Sequence, residues 1–159
     1  MDLQQVRRDI IRPAFALLPE RMASLEAEVM LLAIGLQESR FLHRRQIKGP
    51  ARSFWQAEEG GGMVHGVLLH PLTRQPAFAV CDARGVPPVD DMVYAAIEHD
   101  DVLAASLARL LLWTDPARLP ALGEVAKSWE LYLRTWRPGK PHRHTWDALY
   151  AQALEEVVG

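Results

Sequence analysis

Leu25, Val29, Leu32, Ala33 and Leu36 recur at spacings of three and four, which places them on one stripe of a helix with Ser24 as its N-cap. The same period returns from Asp100 to Trp113 through Leu103, Leu107, Leu110 and Leu111, and that run stops at "TDP", where Pro116 restricts the residue before it. This second run is expected to be the most buried helix. Further helices are expected over about 122–136, ending at "RPGKP", over about 145–158, and near 3–18 and 88–98. No sustained alternation of apolar and polar residues competes with this pattern, so the chain is expected to be mainly α. The stretch from Phe41 to Pro88, rich in glycine and proline, reads as the irregular part, with at most a short hairpin.

Composition narrows the class. A chain of 159 residues is expected to form one domain, residues 1–159, and to bury about two-thirds of the surface its unfolded form exposes. A formal charge of −2 gives no bulk attraction to a polyanion, so nucleic acid would need a local patch. The single cysteine, Cys81, rules out an intrachain disulfide, and "FAVCDA" reads as a half-buried apolar segment in which that thiol is structural. The N-terminus has no unbroken apolar core and no small-residue cleavage site, so no signal peptide is expected. The apolar runs "VMLLAIGL" and "LARLLLW" fall far short of the roughly 20 residues a membrane span needs.

The first helix delivers Glu38 at its C-terminal end. There the macrodipole is negative, and packing by Leu36 and Phe41 would desolvate the carboxyl, so both influences favour the protonated form. A carboxyl that keeps its proton near neutral pH is what a general acid acting on a glycosidic oxygen requires. A solvated glutamate closing a helix has the same position, and position alone does not separate the two.

The string "ESRF", the corner "KGPARSFWQ" and the run "EEGGG" together resemble the lysozyme-like superfamily of peptidoglycan-cleaving enzymes, above all the phage and bacterial soluble lytic transglycosylases. In that family a Glu-Ser pair ends a core helix, and a Gly-Leu-Met-Gln-type motif follows about twenty residues on. Here Glu38-Ser39 corresponds to the first. Ser53 to Gln56, "SFWQ", corresponds to the second, with only the glutamine identical. The resemblance implies a helical lobe and a smaller irregular lobe with a cleft between them. It implies that Glu38 is the catalytic acid, that Ser39 helps to orient it, and that Gln56 lines the sugar cleft. Phe54 and Trp55 lie in a polar, glycine-rich neighbourhood, and one of them is expected to face that cleft. The family's later Ala-Tyr-Asn motif has no full counterpart. Tyr132 in "KSWELYLRTWRPGKP" stands nearest, and no asparagine follows it.

Trp129, Tyr132 and Trp136 share a helix face, which suits core packing or, for one of them, sugar stacking. A two-carboxylate hydrolase would need a partner for Glu38, and Glu58, Glu59, Asp82, Asp101 and Asp115 are the residues available. In a lytic transglycosylase the substrate's own N-acetyl group takes that place, and one glutamate acts as acid and then base to close a 1,6-anhydro ring.

The expectation is therefore a glycosidase acting on the MurNAc–GlcNAc β-1,4 bond of peptidoglycan, without metal or organic cofactor. The family suggests a phage protein made in the host cytoplasm and acting on the cell wall, either virion-associated beside other phage proteins or released through a holin. The rivals are a two-carboxylate muramidase, a non-catalytic lysozyme-like wall-binding or structural component, and, more distantly, a nucleic-acid binder using "HRRQIK" and "WRPGKPHRH". His142 and His144 sit two apart in a basic loop and read as solvated rather than metal-binding.

Overall fold

The computed structural model describes residues 1–159, and the chain is mainly helical with no strands. Asp2 opens it with a capping box: its carboxylate accepts from the Gln5 amide at 2.8 Å, and the Gln5 side chain accepts from the Asp2 amide at 3.0 Å. Helix α1 (Leu3–Val6) runs through a π turn (Arg7–Ile11) into α2 (Arg12–Leu17). Pro13 explains the widening. It has no N–H to give and its ring crowds the carbonyl four residues back, which a π turn moves aside.

Helix α3 (Leu25–Ser39) is capped by Ser24, whose hydroxyl accepts from the Ala27 amide at 3.0 Å. The expected stripe understates it, because α3 is buried on every side from Ala27 to Leu36, while Leu25, assigned to the stripe, is largely exposed. Helix α9 (Arg143–Val158) lies along it, and α7 (Asp101–Trp113) and the N-terminal π turn cover other parts of its surface. Even Glu28 is enclosed, with Arg7 as its partner at 3.2 Å.

Between α3 and α7 the expectation of an irregular stretch is overturned in its second half. A π turn (Gly62–Gly66) leads into α4 (Val67–Leu69), and α5 (Arg74–Ala83) and α6 (Asp90–Ile97) follow. Alternation was the wrong test for this segment. Val64, Val67 and Leu68 around the first of these pieces, and Ala77, Val80 and Cys81 in α5, follow helical spacings of three and four, and all are buried against the core. Cys81 is therefore fully enclosed rather than half-buried, and burial pushes its thiol up to about 11, far from a thiolate nucleophile.

Helix α7 (Asp101–Trp113), capped by Asp100 through the Leu103 amide at 3.0 Å, is buried from Leu103 to Leu112. Helices α8 (Val125–Trp136) and α9 (Arg143–Val158) complete the chain. The longest irregular segment is 40–61, which carries isolated antiparallel bridges between Arg45 and Arg52 and between Arg52 and Ala57. No helix is long and apolar enough to cross a membrane.

Candidate functional site

The end of α3 is built by a chain of local contacts. Arg40 and Phe41 both take left-handed backbone angles, with φ of 57° and 56°, so the chain doubles back and lays the Phe41 ring over its own helix. Gly35 makes room, since a Cβ there would lie 2.1 Å from Cζ of Phe41. The Ser39 hydroxyl fixes the turn, donating to the Gly35 carbonyl at 3.2 Å and accepting from the Phe41 amide at 3.1 Å. Ser39 is buried and makes no hydrogen bond to Glu38. It shapes the backbone beside the glutamate and does not touch it or the cleft.

Phe41 meets Phe54 and Trp55 edge-on, at 5.4 and 5.7 Å between ring centroids. Neither Phe54 nor Trp55 faces a cleft, so that expectation is corrected. They are 1% and 0% exposed, and the Trp55 indole N–H donates to the Leu31 carbonyl of α3 at 2.9 Å. Their polar, glycine-rich neighbours in sequence do not surround them in space. The turn carrying them is closed by paired backbone bonds between Arg52 and Ala57, at 2.7 and 2.8 Å, and this pairing turns both rings inward.

Gln56, at the end of the same turn, comes to the surface of a cleft of about 570 Å³ that Glu38 also lines. Its backbone is left-handed, with φ of 54°, and its side-chain amide donates to the Ser53 carbonyl at 2.7 Å, so Oε1 is left without a protein partner. Gln56 and Glu38 are not hydrogen-bonded to each other.

Glu38 sits on the last turn of α3, half-buried. The Tyr132 hydroxyl of α8 donates to its Oε2, while Oε1 has no protein partner and is reached by solvent. Burial raises the Glu38 carboxyl above the usual glutamate range, and the Tyr132 hydrogen bond opposes this with a smaller effect. Tyr132 is itself held rigidly, its ring stacked on Trp146 of α9 with centroids 5.3 Å apart and an 11° tilt, and Trp129 packs beside both. Burial, then the Glu38 charge, push the Tyr132 phenol upward, so it remains a donor across the working pH range.

Of the three aromatics on α8, Trp129 belongs to the core, and Tyr132, though buried, also borders the cleft beside Glu38. Trp136 is partly buried, lines the cleft, and donates its indole N–H to the Trp55 carbonyl at 3.0 Å. Sequence reasoning did not assign Gln37 a role. Its side chain donates to the His142 carbonyl at 3.1 Å and accepts from Thr145 at 2.9 Å, tying the start of α9 to the residue next to Glu38. Only its adjacency to Glu38 could have suggested this.

The five alternative carboxylates separate. Glu58 lines the cleft with Glu38, and the other four do not. Asp101 is paired with Arg44 at 2.8 Å and Asp115 with Arg134 at 2.9 Å. The two basic segments meet at the cleft, since His43 and Gln46 line it together with Arg137, Lys140 and His142. Arg44 and Arg45, however, are engaged by Asp101 and Glu98. His142 and His144 touch edge-on at 5.7 Å, and no third His, Cys, Asp or Glu joins them.

Fold and site together define a mainly helical protein with a half-buried carboxyl, its pKa raised by burial, at an open polar cleft. No protein-family model matches the chain, and no curated protein or solved structure is significantly similar to it.

Two predictions arise from this geometry. Removing the Tyr132 hydroxyl removes the interaction that favours the ionised carboxylate, so Tyr132→Phe should raise the Glu38 pKa further. Any activity that needs protonated Glu38 should then persist to higher pH than in the parent, and an alkaline limb that stays in place or moves downward would contradict the assignment. Gln56→Ala removes only a turn bond at the surface, with an expected cost of about 0.5–1.5 kcal/mol. It should lower turnover far more than melting temperature, as paired rate and thermal-melt measurements would show.

Proposed function

We propose that the chain is a lysozyme-like peptidoglycan glycosidase, with a helical lobe facing the smaller 40–61 lobe across the cleft, and that it works as a lytic transglycosylase. The observation carrying this reading is the Glu38 carboxyl, its pKa raised by burial and its Oε1 opening onto the cleft. With Tyr132 donating to Oε2, the carboxyl proton resides on Oε1, the oxygen a bound glycan would meet. Glu38 donates that proton to the oxygen linking MurNAc to GlcNAc as the C1–O bond breaks, with the substrate's N-acetyl group assisting at C1. The resulting carboxylate then takes the proton of the muramyl C6 hydroxyl as that oxygen attacks C1 and closes the anhydro ring.

The "SFWQ" turn adds support. Ser53, where the related motif has glycine, has φ of 72°, a conformation glycine adopts without strain. The wall would be reached from a virion or after holin release, and no metal or organic cofactor enters the scheme.

Digestion of purified peptidoglycan followed by mass spectrometry tests the product. Anhydro-muramic ends, one water lighter than reducing ends, together with retained turnover in Glu58→Gln, are the expected result. Reducing ends only, with Glu58→Gln as inactive as a Glu38 variant, would replace this reading with a two-carboxylate muramidase.

The meeting of the basic segments at the cleft favours a second reading, a nucleic-acid binder. It weighs less, because the arginines of the first segment are already paired with carboxylates. Oligonucleotide binding that weakens steeply with salt would raise it.

A further inference from the structure

We infer that a second cavity, of about 860 Å³ at the opposite end of α3 from Glu38, is a binding site for a phosphate group. This site does not depend on the glycosidase reading, and no residue lines both cavities.

Its central residue is Arg109 of α7, which lines the cavity and is 2% exposed. Its Nε donates to the Met22 carbonyl at 2.7 Å, but Nη1 is buried with no hydrogen-bond partner, the only such side-chain atom in the protein. A buried cation with an unmet donor is costly, and proteins rarely keep one without a partner. Burial lowers the Arg109 pKa only to about 10, so the group stays charged at neutral pH.

Two more arginines, Arg21 and Arg118, line the same cavity, and neither they nor Arg109 form an ion pair. Arg21 and Arg109 both lie against the Trp113 ring, at 5.5 and 5.4 Å, which leaves their guanidinium edges as donors. The carboxylates lining the cavity do not balance them. Asp115 is held by Arg134 at 2.9 Å and Glu124 by Lys127 at 3.0 Å, leaving Glu26 as the one unpaired acid.

Ser24 and Glu26 bring the first turn of α3 into the cavity, where free backbone N–H groups and the positive end of a 15-residue helix favour an anion. Planar guanidinium forks beside a helix N-terminus match the tetrahedral oxygens of a phosphate better than a single carboxylate.

Isothermal titration of the whole protein with inorganic phosphate, glycerol 3-phosphate, acetate, and sodium chloride at matched ionic strength tests the site. Saturable one-site binding of either phosphate compound is expected, and whichever binds more tightly tells free phosphate from a phosphate ester. Arg21→Gln and Arg118→Gln, both changes at exposed residues, should each weaken binding by about tenfold, the loss of one charged hydrogen bond. Arg109→Met should abolish binding, yet melt no lower than the parent in phosphate-free buffer, since it removes an uncompensated buried charge. The inference fails if no saturable heat appears, if acetate or chloride matches phosphate, or if both exposed arginine variants bind as the parent does.

Discussion

Glu38→Gln should leave a folded protein that no longer clears peptidoglycan, with the rate reduced by about 10²- to 10⁴-fold or more. The amide has the shape of the carboxyl and can still accept from Tyr132, so what is lost is the proton on Oε1. Thermal melts at several pH values show that the comparison is fair, and the sign follows from linkage. Burial raises the Glu38 pKa in the folded state, so folded protein holds this proton at pH values where the unfolded chain has released it. Its contribution to stability is present in full below the ordinary glutamate pKa and declines as pH rises through the raised one. Glutamine does not titrate, so the variant should gain in melting temperature on the parent across that window. Parent-like wall clearance by Glu38→Gln would remove Glu38 from the acid role. A stability difference that does not change with pH would contradict its burial.

Trp55→Ala should be the most destabilising single change around the site. It empties a fully buried indole position, removes a hydrogen bond to α3 and breaks the edge-on contacts with Phe41 and Phe54. Truncations of this kind cost about 3–5 kcal/mol, roughly 6 to 20 °C in melting temperature for a chain of this size. Differential scanning calorimetry reads the drop directly. If Trp55 stacked on sugar instead, alanine would impair turnover while leaving the melt nearly unchanged. The two outcomes separate the core role from the cleft-facing role suggested by its sequence neighbours.

Such a change would also reach the Glu38 end of α3. Phe41, which Trp55 supports, closes the turn that follows Glu38, and Trp136 of the cleft wall hangs on the Trp55 carbonyl. Stability and the geometry around Glu38 are coupled here through packing, although Trp55 does not line the cleft.

The helices were legible because their causes are local. Serine and aspartate caps, a period near 3.6 and prolines beyond helix ends act within a few residues, and they place α3, α7, α8 and α9 and leave Glu38 at a helix end. Tertiary structure alone decided what surrounds that glutamate. Tyr132 stands 94 residues away in sequence, and no spacing rule relates the two. Phe54 and Trp55 sit among polar neighbours in the chain yet lie in the core, because a turn closed by Arg52 and Ala57 aims them at α3. Glu58 separates from the other carboxylates only when a cleft exists to line, and Arg109, one charge in an apolar helix, becomes an unmet donor only once α7 is packed. Local propensity acts through backbone geometry a few residues at a time. Burial, and with it proton affinity and the pairing of charges, depends on which distant segments the core brings together.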